Sequence, residues 1–280
     1  MANLFFCGGP PKSGTTYLQK ILDLHPETSC NSEDYLQMLG ENFSNLHKKY
    51  NQTLKLFALR TGVEKYQLVE EKIFVKNFYN LINDIAINRN KNTKFIGISD
   101  NHFLLNNLIN ISNFFSNSKT IIIFRNPIDT ALSLWDHNNR LYEKEKFVEH
   151  INFNKVDGIL DINKFVIHQS QLWNKKVKKI FEQIKVMPNK FLVINYESLS
   201  KKKKENIREI FSHIGCKYDE KIISKVIEDS SIEKMRKDSL DPGFFKKGRL
   251  NFGENELDKS TIKSAIDLSK EGLALTKIQK

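Results

Sequence analysis

Cysteine is scarce: Cys7, Cys30 and Cys216 are the only three in 280 residues. They are odd in number, far apart and in no CxxC pair, which argues against a disulfide framework or a zinc site and fits a reducing compartment. No apolar run approaches the ~20 residues needed to cross a bilayer. The N-terminus lacks the basic stretch and long apolar stretch of a signal peptide. The expectation is a cytoplasmic chain with no transmembrane segment. Also missing are any internal repeat, any His/Asp/Glu grouping at metal-ligand spacing, and any zinc finger or aromatic-rich RNA-binding motif. What the chain does have is positive charge, 44 Lys and Arg against 33 Asp and Glu, for a formal +11. Such a balance suits an anionic partner: a phosphate cofactor, an acidic glycan, nucleic acid or a membrane surface. It also suits nothing more than well-solvated helices. With 40% apolar residues over this length, one large α/β domain spanning residues 1–280 is expected.

Periodicity places the elements. Leu4, Phe5, Phe6 and Cys7 read as a buried strand, followed by a Gly-rich turn and a helix with Tyr17, Leu18, Ile21 and Leu22 on one face, stopped at His25-Pro26. Residues 35–90 are mostly helical and polar, with Leu36, Leu39, Phe43 and Leu46 in register, and read as a helical insertion over the sheet. Residues 95–98, 120–124 and 191–194 are continuous apolar runs, as strands buried on both faces require. After residue 124, Asn126 is a good N-cap and Pro127 a good first helical residue. A long helix is predicted over 162–184, further helices near 207–214, 219–228 and 259–275, and a loop over 241–257. Strands alternating with helices imply a three-layer α/β fold of the P-loop-NTPase type. Its central, mostly parallel sheet is flanked by helices, and its ligand site lies at the carboxyl ends of the strands.

The turn "GGPPKSGTT" keeps the glycine spacing of a nucleotide P-loop, but Thr15 stands where the phosphate-binding lysine belongs and Lys12 has moved into the loop. Backbone amides, a helix N-terminus and the hydroxyls of Ser13, Thr15 and Thr16 still make an anion cradle. Gly14 allows the turn into the helix. The side chain that a γ-phosphate needs is missing.

"PKSGTT", residues 11–16, resembles the 5′-phosphosulfate loop of sulfotransferases that use 3′-phosphoadenosine 5′-phosphosulfate (PAPS). The resemblance implies that Pro11, Lys12, Ser13, Gly14, Thr15 and Thr16 hold the cofactor. A second element, "IIIFRNPIDTALSLW", resembles the part of that family that grips the 3′-phosphate and puts Arg125 and Ser133 on the matching positions. The planar fork of Arg125 suits two phosphate oxygens. Asp129 reads as an acid favoured by the helix dipole. The third element, "GFFKKGRLNFG", resembles the closing RKGxxG loop, with Lys246, Lys247 and Gly248 in place, lysine for the usual arginine, and Asn251 where the second glycine belongs. Tyr196 matches a tyrosine that packs near the adenine.

The resemblance implies sulfuryl transfer from PAPS to a hydroxyl-bearing acceptor. PAP is the product, Lys12 steadies the leaving group, and no metal or nucleic acid takes part. "LDLHPETSCNSE" resembles a stretch of tyrosylprotein sulfotransferases whose last glutamate is the base, here Glu33. His102 is the second candidate base and Asp100 the third. A P-loop kinase is disfavoured by Thr15, and a non-catalytic binder of phosphoadenylates or polyanions is the remaining alternative. The acceptor has no readable signature; the basic charge hints at an anionic glycan. Nothing speaks to oligomeric state.

Overall fold

The computed structural model describes residues 3–30, 36–62, 67–89, 93–145, 161–237 and 256–277. Five parallel strands form one sheet in the order β2-β3-β1-β4-β5: β1 Asn3–Gly8, β2 Thr28–Ser29, β3 Phe95–Ser99, β4 Lys119–Phe124 and β5 Phe191–Asn195. The register is regular, with Phe6 beside Ile98 on one side and Thr120 on the other.

The period of two along a strand divides the apolar runs between two cores. Phe6, Ile96, Ile98, Ile122 and Phe124 face one layer, while Phe5, Cys7, Ile121, Ile123 and Ile194 face the other. Burial on both faces is why no strand shows polar alternation. The first layer is built from α2 Leu36–Thr61, α3 Glu71–Arg89, α4 Asn101–Asn106, α5 Leu108–Phe114, α7 Ile162–Ile184 and α12 Lys259–Thr276. The second holds α1 Thr15–Asp23, α8 Tyr196–Lys201, α9 Lys203–Ile214 and α10 Glu220–Asp229. A smaller cluster joins α6 Pro127–Glu145 to α7 and α12 through Ile128, Leu132, Val166 and Ala265. One further short helix, α11, covers Ile232–Lys237.

The boundaries read from the sequence hold closely for α7 and α12 and for the four longer strands. Asn126 caps α6 as its chemistry predicts, its Oδ1 accepting the Ile128 N–H at 2.9 Å. Two features escape the periodicity. The strand β2 is two polar residues long and exists because it pairs with Phe95 and Ile96. Helices α4 and α5 are short and rich in Asn, a residue that is a weak helix former. All three cysteines are free and buried, with the Cys7 and Cys30 sulfurs 3.5 Å apart. Among the described residues no helix is long and apolar enough to cross a membrane.

Candidate active site

In a parallel sheet every strand points its carboxyl end to the same edge. The loop after β1, the start of α4 after β3, the Arg125–Asn126 corner after β4 and Tyr196 after β5 therefore converge. The loop is pressed against its neighbours. A Cβ on Gly9 would lie 2.1 Å from the Ile123 carbonyl oxygen, so only glycine fits there. The Gly9 N–H donates to Asn101 Oδ1 at 3.2 Å, which anchors the loop to α4.

Lys12 and Gly14 both occupy the left-handed region, at φ 65 and φ 95. For a lysine this conformation is costly and is found where surrounding structure holds it, often at functional sites. The Ser13 N–H donates to the Pro10 carbonyl at 3.1 Å and closes the turn that leads into α1. Helix α1 then opens at Gly14 with no side-chain cap and no acid in its first turn. Its first amides have no intrahelical acceptors, and its dipole favours negative charge there. Ser13 is fully buried, and among the described residues its Oγ has no hydrogen-bond partner. A buried polar atom of this kind is satisfied by an ordered water or by a ligand atom. Thr15 is buried, whereas Pro11, Lys12 and Thr16 are half-buried at the rim.

Tyr196 closes one side. Its ring lies so near Gly14 that a Cβ there would be 2.4 Å from Tyr196 Cδ2. The Arg125 guanidinium sits 4.7 Å from the same ring, and Tyr17 meets it edge-on at 6.2 Å. Burial is the main reason that the Tyr196 hydroxyl is held above its ordinary pKa. Arg125 is buried, and Asp129 pairs with it at 3.6 Å from one turn along α6. So Asp129 orients the cation rather than merely serving the helix dipole. Glu197 Oε1 accepts the Asn126 N–H at 2.7 Å, bracing the corner that carries Arg125; its carboxyl is pushed up chiefly by burial.

Ser133 is half-buried on α6, on the same stripe as Asp129, His137 and Arg140. His137 was not foreseen, because a lone histidine late in a helix carries no motif. Its Nδ1 and Arg140 Nη2 are 3.1 Å apart. Burial, then the charges of Lys12 and Arg140, push its pKa down to about 4, so it is neutral at pH 7.

The candidate bases separate. Asp100 caps two helices at once: Oδ1 accepts from Phe103 N at 2.7 Å, and Oδ2 accepts from Leu36 N and Gln37 N. A carboxylate engaged by three backbone donors is a structural cap, so its candidacy as a base is withdrawn. His102 is exposed on the first turn of α4 at the site edge. Glu33, Lys246, Lys247 and Gly248 lie outside the described residues.

The "HPE" part of the glutamate-bearing stretch sits at the opposite edge of the sheet. His25, Glu27 and Cys216 come together there, with potential ligand atoms within 4.8 Å of one another. Both His25 nitrogens are already engaged: Nε2 with Lys217 O at 2.9 Å, and Nδ1 with Glu27 N at 3.1 Å. Glu27 Oε2 accepts the Lys217 N–H, and burial pushes the Cys216 thiol up to about 12. The group is a knot tying the end of α1 to the chain after α9.

A strand, an anion-cradling turn and a helix, with a paired arginine at the next strand end, define a phosphate-loop α/β protein. Residues 4–263 match the sulfotransferase domain family, and the chain belongs to that family. A candidate protein-tyrosine sulfotransferase of Caenorhabditis briggsae is 24% identical over 220 residues, 79% of this chain and 68% of that one. Mouse sulfotransferase SULT7A1 complexed with PAP superposes with a TM-score of 0.61 at 16% identity, covering 97% of this chain and 84% of that one. The sulfotransferase domain of the Synechococcus PCC 7002 olefin synthase gives 0.52 at 14% identity, covering 97% and 94%. At such identities the structures establish a shared fold.

Proposed function

We propose that the protein transfers the sulfuryl group of PAPS to a hydroxyl acceptor by in-line displacement, leaving PAP. The observation that carries this reading is the loop itself, where left-handed Lys12, the buried Ser13 Oγ and an α1 terminus with no side-chain cap follow one another along the chain, combined with the Arg125–Tyr196 wall beside it. In this reading the cradle amides, Pro11, Ser13, Thr15 and Thr16 surround the 5′-phosphosulfate. Arg125 and Ser133 take the 3′-phosphate, Tyr196 lines the adenine side, and Lys246, Lys247 and Gly248 close over it.

The acceptor oxygen attacks sulfur as the bond from sulfur to the 5′-phosphate oxygen breaks, and the electron pair stays on PAP. Lys12 and the cradle amides stabilise that developing charge. Positive charge comes from the chain itself, so no metal is invoked. The acceptor's proton goes to Glu33, the preferred base. Its flanking residues Cys30 and Leu36 are both tied down, Cys30 N to Asp23 Oδ1 at 3.0 Å and Leu36 N to Asp100 at the site edge. His102 is the second candidate.

Residues 35–90 are proposed as an insertion on the acceptor side of a single domain. Free, buried thiols fit a cytoplasmic setting. The relative described as a protein-tyrosine sulfotransferase puts protein tyrosine among the acceptors to try, beside anionic glycans.

The test is transfer from labelled PAPS across hydroxyl acceptors, with chelator present and absent. Lys12→Ala is expected to lower turnover about a hundredfold or more, Glu33→Gln to abolish most of it, and the chelator to change nothing. Full activity in Glu33→Gln together with loss in His102→Ala reverses the base assignment. Binding of ATP with no preference for 3′,5′-ADP sinks the cofactor assignment.

A further inference from the structure

Of the 14 large apolar side chains that are exposed among the described residues, ten lie between residues 38 and 87, so the exposed apolar surface belongs to the α2–α3 hairpin. The hairpin's own contacts show why. Phe78 of α3 packs on Gly40 and Phe43, and Phe74 on His47. The return segment binds α2 at His47 and Asn51 through the Val69 backbone. None of these contacts continues past Asn51, yet α2 runs on to Thr61. Its last ten residues, about 15 Å at 1.5 Å per residue, bury Ala58 on one side and leave large apolar side chains exposed on the other.

The exposed side bears Leu56, Phe57 and Leu59, exposed by 48%, 60% and 81%. At about 100° per residue their directions spread over roughly 160° of the helix. A partner helix covers a narrower stripe, whereas a lipid interface surrounds the helix end on all these sides. Between Glu41 and Thr61 the helix carries Lys48, Lys49, Lys55 and Arg60 and no acid. A second copy docked tip to tip would bring these cations together, while an anionic bilayer complements them.

We propose that the exposed side of the end of α2 docks on an anionic lipid surface, Leu56, Phe57 and Leu59 entering the headgroup–acyl boundary while Lys48, Lys49, Lys55 and Arg60 meet the phosphates. The proposal is independent of the sulfuryl-transfer reading. It is tested by sedimenting the full chain with phosphatidylcholine vesicles, with and without phosphatidylserine. Binding is expected only with phosphatidylserine and falls as salt rises. Leu56→Ser/Phe57→Ser/Leu59→Ser is expected to lower partitioning at least tenfold without moving the unfolding temperature, and Leu59→Asp alone to weaken it measurably. The proposal fails if phosphatidylserine makes no difference, or if both variants bind like the wild type. It also fails if light scattering finds a dimer that the triple variant dissolves, which would assign the tip to a second copy, or if polyglutamate binds this tip while vesicles do not.

Discussion

Gly14→Ala tests the geometry at the centre of the site. At φ 95 an L side chain costs about 1–2 kcal/mol. The new methyl would also sit 2.4 Å from Cδ2 and 2.9 Å from Cε2 of Tyr196. That ring is confined by Arg125 at 4.7 Å and Tyr17 at 6.2 Å, so relief requires several groups to move. Overpacking of this kind typically costs about 1–3 kcal/mol. Together the two effects amount to about 2–5 kcal/mol, which for a chain of this size lowers the melting temperature by about 4–20 °C. Thermal unfolding measures it, and a double-mutant cycle with Tyr196→Ala separates the parts. Removing the ring relieves the clash and leaves the φ penalty, so the double variant should be about 1–3 kcal/mol more stable than the sum of the singles predicts. A wild-type melting temperature for Gly14→Ala, or strict additivity in the cycle, refutes the placement of Tyr196 against the loop.

Asp100→Ala should cost about 2–4 kcal/mol, because it strands backbone donors of α2 and α4. Asp100→Asn, which keeps a capping oxygen, should retain transfer; a folded but inactive Asp100→Asn would restore that residue as a base. His137 supplies a pH test. Its folded pKa of about 4 lies below the unfolded value, so the unfolded chain takes up the proton first. Stability from this group is therefore complete above about pH 6.5 and is lost as the pH falls towards 4. The full shift is worth about 3 kcal/mol, discounted to roughly 1 kcal/mol because the side chain is only half-buried. Chemical denaturation against pH should flatten in His137→Gln. Lys12→Ala should raise the His137 pKa in an NMR titration, and an unchanged value would place Lys12 away from α6.

The strands were legible because a strand buried on both faces must be apolar throughout, as Ile121, Ile122 and Ile123 are, one after another. The cradle was legible because its glycines and hydroxyls act within a few residues of chain. Its departure from a nucleotide P-loop could be read from Thr15 alone. Helices α4 and α5 were not legible: Asn-rich turns have little propensity of their own and are held by Asp100 and by burial of Phe103 and Leu104.

The sequence by itself determined the alternation of strands and helices, the anion-binding turn and the basic corner after the fourth strand, since each depends on residues close together along the chain. Tertiary structure decided which of those residues act together. It pressed Tyr196 against Gly14 across 182 residues and made Asp100 a double cap rather than a base. It also set a neutral His137 in the field of Lys12 and left Leu56, Phe57 and Leu59 exposed at the end of α2. These outcomes depend on distances between chain-distant groups and on the burial that strengthens their interactions, and neither quantity exists until the sheet has assembled.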